Sequence, residues 1–204
     1  MKPKFSTPLA KLKDLSKDKG GIIRTTQAIR GGIHPRTLYQ LRDNGALERL
    51  SRGVYRISER KPLSDPDLVT VSVRIAKGII CLVSALAFHG ITTQIPHSIS
   101  IALEKGAESP RIDYPPVLVY RFSRTSLDAG IEEHEIDGVK VRVYGPEKTI
   151  ADCFKFRNKL GMDLVLEALK LYRSRKKASL QRLLEYAKIC RVEKVMSPYL
   201  EAIA

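Results

Sequence analysis

Arg36 and Gln40 stand four residues apart in PRTLYQLRD, a spacing that puts both on one face of a helix. Arg bonds guanine bidentately in a major groove and Gln does the same for adenine, so the pair has the chemistry of base reading. Leu38 and Leu41 mark the opposite face as the buried one. Tyr39 and Asp43 then lie beside the pair, with Thr37 and Arg42 at the flanks. Tyr39 and Thr37 suit phosphate or a thymine methyl. Arg49, Arg52 and Arg56 follow in LERLSRGVYRI, a basic hairpin placed to meet DNA backbone or minor groove. Thr25 and Thr26, either of which can cap the preceding helix, complete the candidate DNA contacts.

Residue patterns for catalysis are weaker. Gly20-Gly21 lacks the lysine and hydroxyl spacing of a phosphate-cradling loop, and Gly31-Gly32 reads as a helix stop. Asp65-Pro-Asp67 has two carboxylates at metal spacing but reads as a cap followed by a proline-started helix. Glu59-Arg-Lys61 resembles the end of a nuclease motif, yet no strand-borne aspartate precedes it. His34, His89, His97 and His134 are single residues in different elements, and a lone histidine is usually a cap or surface group. No Gly-x-Ser-x-Gly or His-Glu-x-x-His is present. The expectation is a protein with no catalytic residue, cofactor or metal. A nuclease or nucleotide-processing enzyme assembled from distant residues is the remote alternative.

The elements that must hold the base readers can be placed from local signals. Leu9, Leu12 and Leu15 predict a short amphipathic helix from Ser6 to Lys19, stopped by Gly20-Gly21. A second helix has Ala28 and Ile29 facing inward and ends at Gly31-Gly32. Pro35 opens the next, because its missing N–H would be unpaired at that position anyway, and Asn44-Gly45 closes it. Two strands, Leu47–Leu50 and Val54–Ile57, flank Ser51-Arg52-Gly53. Helix, glycine-bearing turn, helix and basic hairpin is the order of a winged helix-turn-helix. Pro62 to Pro66 read as a linker, which divides the chain into residues 1–61 and 62–204.

Asp65 caps a helix to about Ala76, and Ser84 caps a short one ending at His89-Gly90. Strand signals follow at Ser98–Leu103, Val117–Phe122, Glu132–Ile136 and Val139–Tyr144, the last two joined by Asp137-Gly138, a strong hairpin signal. From Pro146 onwards the chain reads helical: about 147–157, 162–174, 179–189 and 193–203. The fold class expected is α+β, a winged helix-turn-helix followed by a small, mostly antiparallel sheet with a helical C-terminal half.

Charge agrees with the base-reading chemistry. The chain has a formal charge of +14, of which residues 1–61 carry +10 and residues 62–169 carry −2. A basic segment joined to a neutral one is the footprint of a nucleic-acid binder. Residues 170–204 carry +6. Arg175, Lys176, Lys177 and Arg182 there form a candidate secondary basic surface, although part of this charge simply complements a helix end. A hydrophobic fraction of 43% argues against disorder. Gly78 to Ile91 is too short an apolar run to span a bilayer, and Met1 to Phe5 leads into no signal-peptide core. Cys81, Cys153 and Cys190 lie far apart, which fits buried thiols in a reducing compartment.

GIIRTTQAIRGGIHPRTLYQLRDNGALERLSRGVYRI, Gly21 to Ile57, resembles the winged-helix domain of the AbiEi-type antitoxins of abortive-infection systems. SALAFHGITTQIPHSISIAL, Ser84 to Leu103, and YGPEKTIADCFKF, Tyr144 to Phe156, extend the resemblance from about Gly20 to Ile203, leaving Met1 to Lys19 outside it. The resemblance implies a cytoplasmic transcriptional repressor that binds operator DNA before its own toxin–antitoxin operon. It also implies that the protein counters a nucleotidyltransferase-like toxin without a stable complex. Its DNA contacts would fall on Arg36, Thr37, Tyr39 and Gln40 and on Arg49, Arg52 and Arg56. A stand-alone regulator without a toxin partner is the alternative.

Overall fold

The computed structural model describes residues 6–202, so the expected last residue of the C-terminal helix, 203, lies outside them. The protein is α+β and divides into two compact units. The first comprises residues 1–76 with 110–115 and 135–141, and the second comprises the remainder.

In the first unit, α1 (Ser6–Leu15), β1 (Ile22–Arg24), α2 (Thr25–Arg30), α3 (Pro35–Asp43), β2 (Leu47–Ser51), β3 (Val54–Ile57) and α4 (Pro66–Arg74) follow in order. The three strands form an antiparallel sheet in the order β1-β3-β2. Leu12, Ala28, Ile33, Leu38 and Leu41 from the helices meet Ile23, Leu47, Tyr55 and Ile57 from the sheet in one core. Each fully buried Leu or Ile among them contributes roughly 1.5–3 kcal/mol.

The boundaries of α3 follow from its ends. His34 Nδ1 accepts from the Arg36 N–H at 3.2 Å, Pro35 occupies the first turn, and Asn44 with Gly45 (φ +78°) ends it. At α2 the expected threonine cap gives way to Arg24, whose N–H donates to Gln27 Oε1 at 3.1 Å. Thr25 is therefore the first helical residue, and its N–H donates to the Gly53 carbonyl at 2.9 Å. Ile29, expected to face inward, is 47% exposed because Ala28 takes the single core position of this six-residue helix. Asp65 caps α4 as expected, accepting from the Leu68 N–H at 2.9 Å.

The division expected after residue 61 differs from the compact unit, which runs on to Ala76. Leu68, Val69 and Val71 of α4 are buried, which keeps this helix with the first unit. Gly20 packs its backbone against Asp137. A methyl group there would lie 1.8 Å from the Asp137 carbonyl oxygen, and Gly20 has φ +58°. Gly20→Ala should therefore cost more than the ~1–2 kcal/mol of a left-handed L-residue alone, read as a lowered urea midpoint.

The second unit contains β4 (Ile79–Ile80), α5 (Leu82–Phe88), β5 (Ile99–Glu104), β6 (Val117–Phe122), α6 (Arg124–Asp128), β7 (Ile131–Ile136) and β8 (Val139–Tyr144). Helices α7 (Pro146–Lys155), α8 (Arg157–Leu160), α9 (Met162–Arg173), α10 (Leu180–Cys190) and α11 (Glu193–Glu201) complete the chain. The tip of the β7–β8 hairpin, residues 135–141, groups with the first unit. Asp137 and Gly138 both have positive φ, the conformation such a two-residue turn requires.

The sheet runs β6-β5-β4-β8-β7 and is mixed, not mostly antiparallel. β5 pairs parallel with β6 and β4 parallel with β8, while β4 and β5 are antiparallel. The cause is the connection after Glu104, long enough to return the chain to the end of the sheet where β5 began. Ser84, expected to cap α5, lies inside it. Its Oγ accepts from the Ser100 N–H at 2.9 Å and so ties the helix to β5.

Helix α7 is almost wholly buried. Lys148 and Asp152, both fully buried, form an ion pair one helical turn apart, and Lys148 Nζ lies 4.1 Å from the Tyr144 ring centroid. The Cys190 thiol donates to Asp152 Oδ1 at 3.2 Å. Burial pushes the Asp152 carboxyl up, and Lys148 pulls it back in part. Burial likewise raises the Cys81 and Cys153 thiols, and pushes Cys190 up to about 12. All three cysteines are free and buried, as packed neutral thiols should be.

Candidate nucleic-acid interface

The polar face of α3 and the β2–β3 hairpin present the side chains singled out for base and backbone contact. Leu38 and Leu41 are buried, so the helix turns Arg36, Tyr39 and Gln40 outward, all three exposed. Thr37 and Arg42 are half-buried at its flanks. The hairpin closes through Arg52 and Gly53 (φ +73°), with a register shift between Arg49 and Ser51 that leaves Arg49 and Arg52 exposed.

Thr25, Tyr39, Arg42, Arg49 and Arg52 line one concavity of about 440 Å³. Arg36, Thr37 and Gln40 lie outside it, further round the polar face of α3, and Thr26 is exposed on α2. The arrangement thus separates a helix face able to read bases from an arginine-lined hollow suited to phosphate. Arg42 Nε donates to Asp43 Oδ1 at 2.8 Å, and its guanidinium lies 5.5 Å from the Tyr39 ring centroid. The hydrogen bond to Asp43 raises the Arg42 pKa above its ordinary value.

One residue of the hollow, Arg74, and one that holds its rim, Asp113, had no local signal. Arg74, at the end of α4, contributes a further guanidinium and donates through Nη2 to the Arg111 carbonyl at 2.8 Å. Its Nε is buried without a partner. Asp113, from the 110–115 segment, accepts from Ser51 Oγ at 2.9 Å, from the Arg52 N–H at 3.4 Å and from Arg49 Nη2 at 3.5 Å. The Ser51 hydroxyl, more than the Arg49 charge, holds this carboxyl below its ordinary range. One carboxylate thereby fixes the turn that aims Arg49 and Arg52.

Arg56 is a correction. Expected on the exposed wing, it is only 5% exposed, and its guanidinium lies 3.8 Å from Glu48. The reason is topological: β3 is the middle strand of the three, and all four of its residues are buried.

The secondary basic surface on the C-terminal helices is also reduced. Arg175 donates to the His89 and Gly90 carbonyls and so serves the end of α5. Arg182 lies 3.6 Å from the Glu147 carboxylate. Lys176 and Lys177 are exposed. Tyr172 OH donates to Glu147 Oε1 at 2.8 Å and accepts from the Ser179 N–H at 2.7 Å, which locks the α9–α10 junction. Among the described residues no group of three or more His, Cys, Asp or Glu is placed to hold a metal ion. No helix there is long and apolar enough to cross a membrane.

An α+β chain whose first unit orders helix, strand, helix, helix and hairpin in this way fits a winged helix-turn-helix. Residues 10–58 match the family described as transcriptional regulator, AbiEi antitoxin, which bears out over that segment the resemblance read from the sequence. The match begins at residue 10, inside α1, so part of the stretch left outside the resemblance belongs to it. No curated protein matches the chain. Among solved structures, the chain is similar to the RV2827C protein from Mycobacterium tuberculosis. Identity is 18% over 97% of this chain and 81% of that one, with a TM-score of 0.49.

Proposed function

We propose that the chain is a DNA-binding antitoxin of the autorepressing kind, a winged helix-turn-helix regulator with no catalysis of its own. Helix α3 enters the major groove of operator DNA with Arg36 and Gln40 on base edges and Thr37 at the flank. The β2–β3 wing, with Tyr39, Arg42, Arg49, Arg52 and Arg74 around the hollow, takes the backbone, and Thr25 and Thr26 lie beside it. Residues 62–204 supply the regulatory and antitoxin part, directed against a nucleotidyltransferase-like toxin without a stable complex, in the cytoplasm. The observation that supports this reading most is the convergence of Tyr39, Arg42, Arg49 and Arg52, from two elements, on one hollow beside an exposed Arg36–Gln40 face.

The test is operator binding by variants of each class. Arg36→Ala or Gln40→Ala should cost roughly 1–3 kcal/mol on the cognate site and relax its sequence preference. Arg52→Ala should weaken cognate and random duplex alike. Equal losses on both duplexes for all three variants would show that α3 is not the reading helix. The antitoxin half is tested separately, by growth rescue on co-expression with a neighbouring nucleotidyltransferase-like gene.

A further inference from the structure

The second unit has a hollow of about 630 Å³, within the size range of small-ligand sites. Five cationic side chains line it: Lys105, Arg121, Lys155, Arg157 and Arg191. No carboxylate side chain is among the residues of its wall. Residues 62–169 carry more acids than bases, with a net charge of −2. Four of the five cations come from that acid-rich stretch, so a generally basic composition does not account for their convergence.

The cations are positioned and their charges left open. Arg121 Nη2 donates to Ser109 Oγ at 2.8 Å, and Arg157 Nη1 donates to the Phe154 carbonyl at 3.0 Å. Lys105, Arg157 and Arg191 form no ion pair with a carboxylate among the described residues, and Lys155, whose charge is felt by the buried Asp152, forms none within ion-pair distance. Arg191 ends α10 in the left-handed region, φ +60°, where glycine is the inexpensive choice. Like charges held together in one hollow repel one another, and an anion relieves that repulsion through charge-assisted hydrogen bonds.

Phe156, Val192 and Val195 add apolar surface to its lining. The thiol of Cys190, held neutral by burial and bonded to Asp152, also lines the site, so the hollow is built to bind and not to attack. From the five converging cations and the apolar surface in the same lining we infer that this hollow binds a small organic phosphate of the nucleoside diphosphate class. The phosphates face the cations and the organic body lies on Phe156, Val192 and Val195.

Calorimetric titration of the full chain with adenosine 5′-diphosphate, pyrophosphate and adenosine tests it. The expected result is saturable one-to-one binding of the diphosphate, weaker binding of pyrophosphate and none of adenosine. Losing a charge-assisted hydrogen bond weakens binding about tenfold or more, so Lys105→Gln with Lys155→Gln should do at least that. Arg49→Gln with Arg52→Gln should leave it unchanged. Arg191→Gly relieves a left-handed residue, so it should keep or raise Tm while weakening the diphosphate tenfold, an outcome no purely structural role produces. If the double lysine variant does not fold, this variant decides alone. Three results overturn the inference: no saturation by about 10 mM diphosphate, binding lost only in the Arg49/Arg52 variant, or a single-stranded oligonucleotide that displaces the diphosphate with higher affinity.

Discussion

Lys148→Ala is expected to destabilise the protein by about 3–5 kcal/mol, because it leaves the Asp152 carboxylate buried with only the Cys190 thiol as partner. The Lys148→Met, Asp152→Leu double variant should recover most of the loss, since a buried pair and a well-packed apolar pair of similar volume are close in stability. The single variant also has a pH signature. Asp152 already has a raised carboxyl, and without Lys148 it rises further. A group whose folded pKa lies above its unfolded value contributes stability at low pH and loses it as pH rises through the folded pKa. The penalty for Lys148→Ala should therefore be smallest near about pH 4 and grow toward neutrality, read by thermal unfolding across that range. A penalty of constant size would mean that lost packing against Tyr144, and not the stranded carboxylate, sets the effect.

Operator affinity should fall about 250- to 1,000-fold between 50 and 200 mM salt, if four to six basic groups displace counterions with a log–log slope near −4 to −5. The +10 charge of residues 1–61 and the arginine-lined hollow motivate this. Arg42→Gln, Arg49→Gln and Arg52→Gln together should flatten the slope by about 2–3 while leaving the Arg36–Gln40 preference in place. Fluorescence anisotropy over a salt series measures both quantities. A salt-independent affinity would remove the case for DNA binding.

What the sequence made legible follows from how local its causes are. Pro35 at the first turn, Asn44-Gly45 at the last, Asp65 as a cap and Asp137-Gly138 as a hairpin turn each act within a few residues, and each is where the pattern put it. The separation of Leu38 and Leu41 from Arg36 and Gln40 is a property of helical period alone. Arg56 was misread because exposure on a hairpin depends on whether a third strand lies alongside. Here β1, only three residues long, makes β3 the middle strand. The mixed sheet was missed for a related reason: strand direction is decided by what a long connection does, and no residue of that connection announces it. Arg74 reaches the hollow and Asp113 reaches the wing turn from distant segments, so no spacing rule finds them. Arg175 and Arg182 look like free charge in sequence, and only the fold shows the carbonyls and carboxylate that engage them.

The first compact unit is assembled from three separate stretches of chain, and that sets an order of completion during synthesis. A nascent chain that has reached Ala76 already contains α1 to α4, with the exposed Arg36–Gln40 face and every arginine of the hollow. It lacks Asp113, which fastens Ser51 and Arg52, and Asp137, which accepts from the Ser64 N–H and hydroxyl at 2.8 and 2.9 Å. Chain elongation is slow beside local folding, so helices and hairpin form while the wing turn is still unanchored. The wing turn of the proposed interface is therefore anchored only after Asp113 has emerged, and the first unit is complete only after residue 141. A chain that ends at Ala76 therefore carries α3 with its exposed Arg36–Gln40 face but a slack wing turn.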